Sequence, residues 1–511
     1  MMIAAAFANI VGPDYVLTDS ASRLLYSRDV FFWDEAPLVD AIVRPADTAE
    51  VASVVKAAAA AGLAIAPRGG GVSYTKGYVP ERTGTVMIDL SRLDAVHEIN
   101  TADLYMTVGA ACTWAKVAEA LKDSGLRAVM KGPISGTHAT VGGVASQNSA
   151  SDDMSGFLAI EAVTADGRVI HTGSAAIGAK AGPFYRDYGP DLTGLLLGDT
   201  GAFAVKTACT LALEPAPKGH AYASIGFDSL AAMSAVMVDL ARTGLASRIM
   251  GMDPVKNRTA TRVGVKDGLG TLAKVVTSAG SLGEGLKQAA KIALAGQNVL
   301  ARIPWSLHVT VEGHDQHAAD HAMTALKPLW AGKGQDVEPS VPVAMHARPY
   351  SIRGIVGIAG ERWVPVHGVF PLSKAPAVVR EVEAFFDNRR ARLAQHGIEV
   401  SFLVMAKGGI WLIEPMFYWF DELGPLHAQV LGDKFAKFKD IPANPAARAV
   451  VKDVRGELAQ LLRGLGAVHS QLGKFYDFAG NIEPDTYAVL TAIKDALDPT
   501  RRLNPGNLGW R

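Results

Sequence analysis

Two glycine-rich stretches constrain what this chain can fold into. The first is PRGGGVSY at residues 67–74, which follows a short apolar run, and the second is GTHATVGG at residues 136–143. Successive glycines give the backbone access to positive φ and let several N–H groups point at one centre, an arrangement that binds anions. The second stretch is also made mostly of small residues, so it is able to close over the same ligand. Together the stretches predict a site for the pyrophosphate of a dinucleotide.

The spacing of the glycines disfavours a Rossmann fold. That fold needs G-x-G-x-x-G opening a helix directly after a strand, with an acidic residue further along. Here the three glycines run into VSYTKG at residues 72–77, a sequence typical of a loop. The dinucleotide must therefore be held by a different architecture.

Four further stretches carry a family resemblance. They are RPADTAEV at residues 44–51, VMIDLS at 86–91, VTADGRV at 163–169 and DLTGLLLGDTGAFAV at 191–205. In this order, together with the two loops, they make the chain similar to the vanillyl-alcohol oxidase and p-cresol methylhydroxylase (PCMH) family of FAD-linked oxidases. The resemblance covers residues 45–217 and returns near the C-terminus.

The resemblance implies an α+β fold with FAD extended between two subdomains of a PCMH-type FAD-binding domain. It implies a cap of α+β type, with an antiparallel sheet covered by helices. The implied domains are residues 1–217 for the FAD domain, 218–445 for the cap and 446–511 for a segment that returns to the FAD domain. The residues expected to bind FAD are Pro67, Arg68, Gly69, Gly70, Gly71, Val72, Ser73, Tyr74, Pro133, Gly136, Thr137, His138, Thr140, Val141, Gly142, Gly143, Ser146, Gly201, Val205 and Asn504.

Local patterns agree with this organisation. Asp47 and Thr48 before an alanine-rich run predict a helix over residues 51–61, and the turn Asp166-Gly167 predicts a hairpin. After the proline-rich boundary at residues 214–217, the cap is predicted to contain helices, including one over residues 269–297. Strands are expected at residues 305–311, 363–370, 401–406 and 410–415.

Composition narrows the class of partner. Lys plus Arg and Asp plus Glu number 50 each, so no net field favours nucleic acid or an anionic membrane. The apolar runs are shorter than a membrane span needs, and the two cysteines are too few for a disulfide framework. We expect a cytoplasmic homodimer that acts on a small molecule and passes electrons to O2 or another acceptor.

Chemistry at a flavin needs a proton acceptor beside the substrate, because the flavin itself takes the hydride. The resemblance places His469 where many relatives carry a Glu-His-Gly stretch, and Lys474 and Tyr476 follow closely. These three residues are candidate catalytic groups. Their alternative is an ordinary role in the surface or the core.

A second candidate cluster, RPYSIR at residues 348–353, contains Arg348 and Tyr350. An arginine suits a substrate carboxylate and a tyrosine orients a hydroxyl, although a basic exposed cap loop has the same composition. The row of large side chains at residues 414–420 is interpreted either as the wall of an aromatic substrate pocket or as ordinary core or a dimer contact.

The residues at two positions of the glycine-rich stretches bear on whether the flavin is covalently attached. Relatives with a histidyl link carry His where this chain has Val72, and relatives with a second link carry Cys where it has His138. The resemblance therefore implies non-covalent FAD, with His367 in the cap as an alternative attachment point. We expect no metal site, since the metal motif of hydroxy-acid relatives is missing and His317 and His321 alone form a weak pair near His308 and His314.

The leading hypothesis is an FAD-dependent oxidase or dehydrogenase that removes hydride from an alcohol or benzylic carbon of a small, 4-substituted phenol-like substrate. A 2-hydroxy-acid dehydrogenase of the lactate or glycolate type is the alternative within redox chemistry. A flavin-dependent lyase or transferase that performs no net oxidation, and a protein that stores flavin without catalysis, are the alternatives outside it.

Overall fold

The computed structural model describes residues 2–31, 33, 35–148, 154–178, 180–255, 303–350 and 355–511. The chain separates into two compact units. The first, here called the loop unit, contains residues 1–215, 423–436 and 470–511, and the second, the cap unit, contains residues 216–422 and 437–469. The predicted helix over residues 269–297 lies outside the described residues.

The loop unit contains a sheet whose central strands are parallel. Its order is Val16–Leu17, Ala41–Val43, Thr85–Asp89 and Ala64–Arg68, with the last three parallel to one another. Both faces are covered, and every residue of Ala41–Val43 and Thr85–Asp89 is buried, as expected of parallel strands. Helix Thr48–Ala60 begins at Asp47, whose side chain accepts from the Glu50 N–H, so the predicted cap is confirmed.

A second, antiparallel sheet completes this unit. It orders Val96–Asn100, Tyr105–Gly109, Val205–Pro215, Phe157–Val163 and Val169–His171, and Leu126–Ala128 also pairs with Val205–Pro215. The pairing of Phe157–Val163 with Val169–His171 confirms the hairpin predicted around Asp166-Gly167. The α-helices of the loop unit, besides Thr48–Ala60, are Met2–Val11, Ser20–Tyr26, Trp114–Leu121, Val141–Gln147, Leu192–Leu196, Pro425–Leu431 and Pro484–Leu497.

The cap unit is built on one antiparallel sheet. Its order is Gln335–Val337, Gly219–Phe227, Trp305–Gly313, Arg248–Met252, Glu399–Lys407, Ile410–Trp419 and Arg362–Pro365, and Gly368–Pro371 also pairs with Ile410–Trp419. Among the residues that the structure describes, its α-helices are Leu230–Thr243, Gln316–Leu326, Ser340–Ala347, Ala375–Asp387, Arg390–Gln395 and Pro445–Gly464. The α+β class and the helix-covered antiparallel cap sheet are thus as predicted.

No helix in the described ranges combines the length and apolarity that crossing a membrane requires.

Candidate functional site

The first glycine loop presents its backbone amides without partners. It begins where strand Ala64–Arg68 ends, and only Gly71 among the three glycines has positive φ, at 73°. Within the described part of the chain, none of the N–H groups of residues 69–73 has a hydrogen-bond partner. Partly buried N–H groups without partners are costly unless a ligand accepts from them. The loop therefore has the donors that a pyrophosphate needs.

The second loop lies directly against the first. A Cβ built on Gly69 falls 2.5 Å from Thr140 Oγ1, and one built on Gly70 overlaps the carbonyl oxygen of His138. Positive φ therefore accounts for Gly71, whereas Gly69 and Gly70 are needed because the two loops approach closely. The two glycine-rich stretches therefore lie against each other, as the prediction of one shared ligand site requires.

Beneath the first loop, Arg68 packs its guanidinium among aromatic rings. Its Cζ lies 4.5 Å from the Tyr26 ring centroid and 5.3 Å from that of Tyr78, whose hydroxyl donates to the Gly71 carbonyl at 2.7 Å. Tyr26 in turn donates to Asp89 at 2.8 Å. These buried side chains hold the first loop through the Gly71 carbonyl, and they do not use the N–H groups of residues 69–73.

A third segment, at residues 199–205, packs on the same loop. Gly201 has φ of 73°, and a Cβ there meets Pro67 Cγ at 2.9 Å. Asp199 accepts from the Gly201 N–H at 2.8 Å and forms a buried ion pair with Lys206 at 2.6 Å. The segment is thereby held in a fixed conformation beside Pro67.

The C-terminal residues tie these pieces together. The side-chain amides of Asn504 and Asn507 both donate to the carbonyls of Gly77 and Thr200, at 2.7–2.9 Å. The Lys474 ammonium donates to the carbonyls of Lys76 and Val79 at 3.1 and 2.9 Å and to Asn504 Oδ1 at 3.3 Å. Burial lowers the Lys474 pKa to about 7, since desolvation disfavours the charged form. Asn504 and Lys474 thus hold the protein's own backbone in this structure.

Several buried polar atoms around the loops have no hydrogen-bond partner in the described residues. They are Thr137 Oγ1, His138 Nε2, Gln147 Oε1, Thr200 Oγ1 and Asn507 Oδ1. Burial lowers the pKa of His138, so its imidazole is neutral. Such atoms are normally satisfied by a ligand or by water. The unpartnered backbone N–H groups fit the phosphates of FAD, which accept hydrogen bonds. The unpartnered side-chain atoms include donors and acceptors, and they fit its ring system, which both donates and accepts hydrogen bonds. Gln147, Thr200 and Asn507 were not among the predicted contacts.

Other predicted FAD contacts stay predictions, and the structure shows where they lie. Gly142 packs on Ala110, its N–H donating to the Ala110 carbonyl at 2.8 Å, while Gly143 donates to Thr140 Oγ1 at 3.1 Å. Ser146 accepts through its carbonyl from the Thr200 N–H at 2.7 Å. Val141 and Val205 are fully buried, Tyr74 is buried, and Gly136 closes a turn on the Pro133 carbonyl.

His469 lies at the end of the cap unit, beside His367. Its Nδ1 is 2.7 Å from the His367 carbonyl oxygen, and the two rings meet edge to face at 6.4 Å. A carbonyl only accepts, so Nδ1 carries the proton and Nε2 the lone pair of the neutral ring. Burial, with a smaller contribution from Arg463, lowers the pKa of His469, while the bond to His367 opposes this shift. A neutral imidazole with basic Nε2 suits proton abstraction.

The remaining candidate catalytic residues lie in different places. Tyr476 is buried in the loop unit and contacts the Phe475 ring at 4.9 Å. Arg348 caps helix Ser340–Ala347 and is exposed, and Tyr350 is partly exposed. Their catalytic roles stay predictions.

One face of the cap sheet is lined by methionines. Strand pairing aligns Met250 with Met405 and Met252 with Leu403, so their side chains share a face. Met416, Tyr418 and Trp363 join them through the next strands, and helix Ser340–Ala347 adds Met345 and Val341. We call this set the methionine face: Met250, Met252, Val341, Met345, Trp363, Leu403, Met405, Met416 and Tyr418.

The row at residues 414–420 is therefore divided between two faces. Met416 and Tyr418 belong to the methionine face, whereas Phe417 and Trp419 are buried on the opposite one, where Phe417 contacts Phe386 of helix Ala375–Asp387. Alternation along a strand makes this division unavoidable. Phe417 and Trp419 therefore belong to the core, and a role of Met416 and Tyr418 in a substrate pocket stays a prediction.

The methionine face continues to the histidine pair. Pro365 is paired with Met416 and Gly368 with Ile413, and His367 lies in the short break between these two strands. Glu414 lies between Leu412 and Met416 on this face and is paired with Leu403. His367, and His469 bonded to its carbonyl, thus border the methionine face within the cap unit.

The histidines considered for metal binding lie in different environments. His308 is buried, with Ser224 Oγ at 2.8 Å and Ser306 Oγ at 2.9 Å, and burial lowers its pKa to about 3. His314, His317 and His321 are exposed. Across the described ranges, no three His, Cys, Asp or Glu side chains are grouped to hold a metal ion. Both cysteines, Cys112 and Cys209, are buried.

Comparisons with known proteins agree with this geometry. A family model for the FAD binding domain matches residues 39–173, and one for the C-terminal domain of FAD linked oxidases matches residues 466–508. The fold and the loops therefore define an FAD-binding protein with a separate cap. These matches identify an FAD-binding domain and the C-terminal domain of FAD linked oxidases in this chain, so the predicted resemblance to FAD-linked oxidases and the predicted cofactor are confirmed.

Individual relatives are distant. An uncharacterised FAD-linked oxidoreductase of Mycobacterium tuberculosis is 28% identical over 259 residues, 48% of this chain and 53% of that protein. D-lactate dehydrogenase of Archaeoglobus fulgidus is 27% identical over 254 residues, 47% of this chain and 54% of that protein. The matches thus span about half the length of these curated relatives. The crystal structure of p-cresol methylhydroxylase with substrate bound superposes with a TM-score of 0.74 at 18% identity, covering 100% of this chain and 96% of that one. At this identity the likeness establishes the fold alone.

Proposed function

We propose that this protein is an FAD-dependent oxidoreductase that oxidises an alcohol or a benzylic carbon of a small aromatic, phenol-like substrate. Bound FAD supplies the hydride acceptor at its N5 atom. The protein supplies the cradle for the pyrophosphate, a surface for the substrate and a proton acceptor.

The observation that carries this proposal is the state of His469. Its bond to the His367 carbonyl fixes the tautomer, and burial keeps the ring neutral. Nε2 therefore accepts a proton from a substrate hydroxyl without first losing one of its own. Tyr476 and Lys474 stay candidates for assisting this proton transfer, and Arg348 and Tyr350 for binding the substrate.

The methionine face supports an aromatic substrate. Thioethers make favourable contacts with aromatic rings, and unbranched side chains adapt to flat ligands. Apolar walls with a few polar groups at their edge are typical of small-molecule sites. Here the polar groups at the edge are His367, His469 and Glu414.

The similarity to D-lactate dehydrogenase of Archaeoglobus fulgidus supports a second candidate function. In that case the substrate is a 2-hydroxy acid, and the exposed Arg348 is the candidate partner of its carboxylate. The two candidates differ in the charge of the substrate, so one experiment separates them.

The test is anaerobic reduction of the bound flavin by each substrate. The loss of the flavin's visible absorbance measures this reduction. The purified holoprotein is mixed with 4-alkylphenols, benzylic alcohols, lactate and glycolate in separate reactions. Reduction by the aromatic compounds is expected. Reduction by the hydroxy acids alone contradicts the aromatic proposal, and reduction by none of them, in protein that dithionite still reduces, contradicts both.

We further propose that the enzyme works as a cytoplasmic homodimer with non-covalent FAD, and that O2 or another acceptor reoxidises the flavin. Sedimentation gives the oligomeric state, and release of FAD on acid denaturation tests for a covalent link, including one at His367.

A further inference from the structure

A surface segment of the loop unit, residues 180–192, exposes four large apolar side chains close together in the sequence. We call this segment the aromatic loop. The exposed fractions are 54% for Phe184, 49% for Tyr185, 57% for Tyr188 and 46% for Leu192. A single exposed apolar side chain is common on any protein, whereas a group of them marks an interaction surface. The aromatic loop is therefore a candidate contact surface.

Hydrogen bonds hold the backbone of the aromatic loop in a defined conformation. The Ser174 hydroxyl donates to the Gly182 carbonyl at 2.7 Å and accepts from the Tyr185 N–H at 3.0 Å. The Ser174 N–H also donates to the Tyr185 carbonyl at 2.7 Å. Further along the loop, Arg186 and Asp191 form an ion pair at 2.7 Å. Side chains on an ordered backbone lose less conformational freedom when they bind, so these rings suit a specific contact.

The charged side chains of the aromatic loop sum to zero. They are Lys180, Arg186, Asp187 and Asp191, and two of them, Arg186 and Asp191, are paired with each other. Within the part of the chain that the structure describes, Lys180 and Asp187 are exposed and form no ion pair or side-chain hydrogen bond. The loop thus presents one free charge of each sign beside its apolar side chains.

This charge pattern favours a second copy of the same chain as the partner. In a contact with two-fold symmetry the same surface faces itself, so that residue i of one copy meets residue j of the other, and j meets i. A surface with one free cation and one free anion is complementary to itself in that arrangement. A loop without net charge is not drawn to an anionic membrane or to a partner of strong charge.

We propose that the aromatic loop is the contact surface of a homodimer, in which its apolar side chains pack against those of a second copy. Lys180 of each copy pairs with Asp187 of the other. Aromatic side chains at the centre of such a contact supply most of its binding energy. The inference deepens the proposed homodimer by naming its surface, and it depends neither on the substrate nor on the proton acceptor.

Sedimentation velocity on the purified holoprotein tests the apolar part of this contact. The double variant Phe184→Asp with Tyr188→Asp should raise the dimer dissociation constant at least ~100-fold, because each changed residue acts twice in a symmetric contact. Val489→Asp is the matched control and should leave the dissociation constant unchanged. Val489 is 62% exposed on helix Pro484–Leu497 of the same unit, outside the aromatic loop. A double variant that keeps its flavin and dimerises like the wild type overturns the proposal.

An exchange of charges tests the pairing across the two copies. Lys180→Glu alone places two acidic side chains opposite each other, and Asp187→Lys alone places two basic ones, so each should weaken the dimer several-fold. The variant that carries both changes restores opposite charges and should dimerise about as tightly as the wild type. If it dimerises no more tightly than either single variant, the pairing is wrong. Because both side chains are exposed, these variants also decide the question if the aromatic double variant does not fold.

The outcomes separate this inference from the proposed homodimer. A wild-type protein that sediments as a monomer at all concentrations contradicts both. A wild-type dimer whose dissociation constant is unchanged by the aromatic and the charge variants leaves the homodimer standing and excludes the aromatic loop as its surface. The proposed oxidation is measured separately by flavin reduction, so its failure cannot be confused with either result.

Discussion

The glycine loops and the methionine face, which are the proposed cofactor and substrate sites, present opposite kinds of surface. The loops offer backbone N–H groups, and their geometry depends on the absence of side chains at Gly69 and Gly70. The methionine face consists of side chains from separate strands and a helix, and several of them are flexible and partly exposed. A cofactor site made of backbone leaves little freedom for substitution, whereas a surface made of thioethers is able to change with its ligand.

The largest expected effect comes from a side chain in the loop contact. Gly70→Val puts a Cβ into the carbonyl oxygen of His138, so the two loops must separate and FAD should be lost. The ratio of flavin to protein absorbance in the purified protein measures this. Gly456→Val is the matched control, because a Cβ at Gly456 meets nothing within 4 Å. A Gly70→Val protein that keeps its full flavin content would falsify the loop assignment.

Removal of His469 should affect chemistry but not cofactor binding. His469→Ala eliminates the proposed proton acceptor, so the rate of anaerobic flavin reduction by substrate should fall ~10²–10⁴-fold, the usual contribution of general base catalysis. The flavin content should equal that of the wild type. His314→Ala, which removes an exposed histidine, is the control. An unchanged reduction rate would exclude His469 from the mechanism.

The two faces of the cap sheet should differ in their contribution to stability. Ile413 is fully buried on the face opposite to the methionines, and Ile413→Ala should lower the free energy of unfolding by ~2–5 kcal/mol. Met405 is partly exposed, so Met405→Ala should cost less than ~2 kcal/mol while weakening binding of the aromatic substrate. Denaturant unfolding and substrate titration measure both quantities. Similar losses of stability in the two variants would show that the methionine face is ordinary core.

The smallest expected effect is on the pH profile of flavin reduction. Burial lowers the pKa of His469 below the ordinary histidine value of about 6.5, so the ring is already neutral at pH 7. The reduction rate should therefore be constant above neutral pH and fall only as pH decreases through the lowered pKa. Stopped-flow reduction between pH 5 and 8, values that bracket the titration range of histidine, measures it. A decrease that begins above pH 7 contradicts the neutral-base assignment.

Much of the loop unit could be predicted because its signals are local. The cap at Asp47, the turn at Asp166-Gly167 and the glycines of both loops each depend on a few neighbouring residues. Even there the physical reason was incomplete, since the sequence indicated access to positive φ but not the close approach of another loop at Gly69 and Gly70. Close approach of a loop from elsewhere in the chain leaves no mark in the local pattern.

The candidate active site was only partly predictable for the same reason. His469 was found through its sequence context, but the carbonyl that fixes its tautomer belongs to His367, far away in the chain. Thr200, Gln147 and Asn507 were missed because a single polar residue carries no signal until its burial without a partner is seen. The sequence left the row at residues 414–420 open between pocket wall, core and dimer contact, because which of its side chains share a face depends on the strand they form.

The sequence by itself indicated the resemblance to FAD-linked oxidases, the cofactor and the α+β class, because the short motifs that carry the resemblance depend on neighbouring residues. Only the tertiary structure decided which loop packs against Gly70, which nitrogen of His469 is basic, and which strands contribute to the methionine face. Those features depend on strand register and on contacts between segments that are far apart in the chain. Local preferences do not fix them, because they follow from how the whole chain buries its apolar surface.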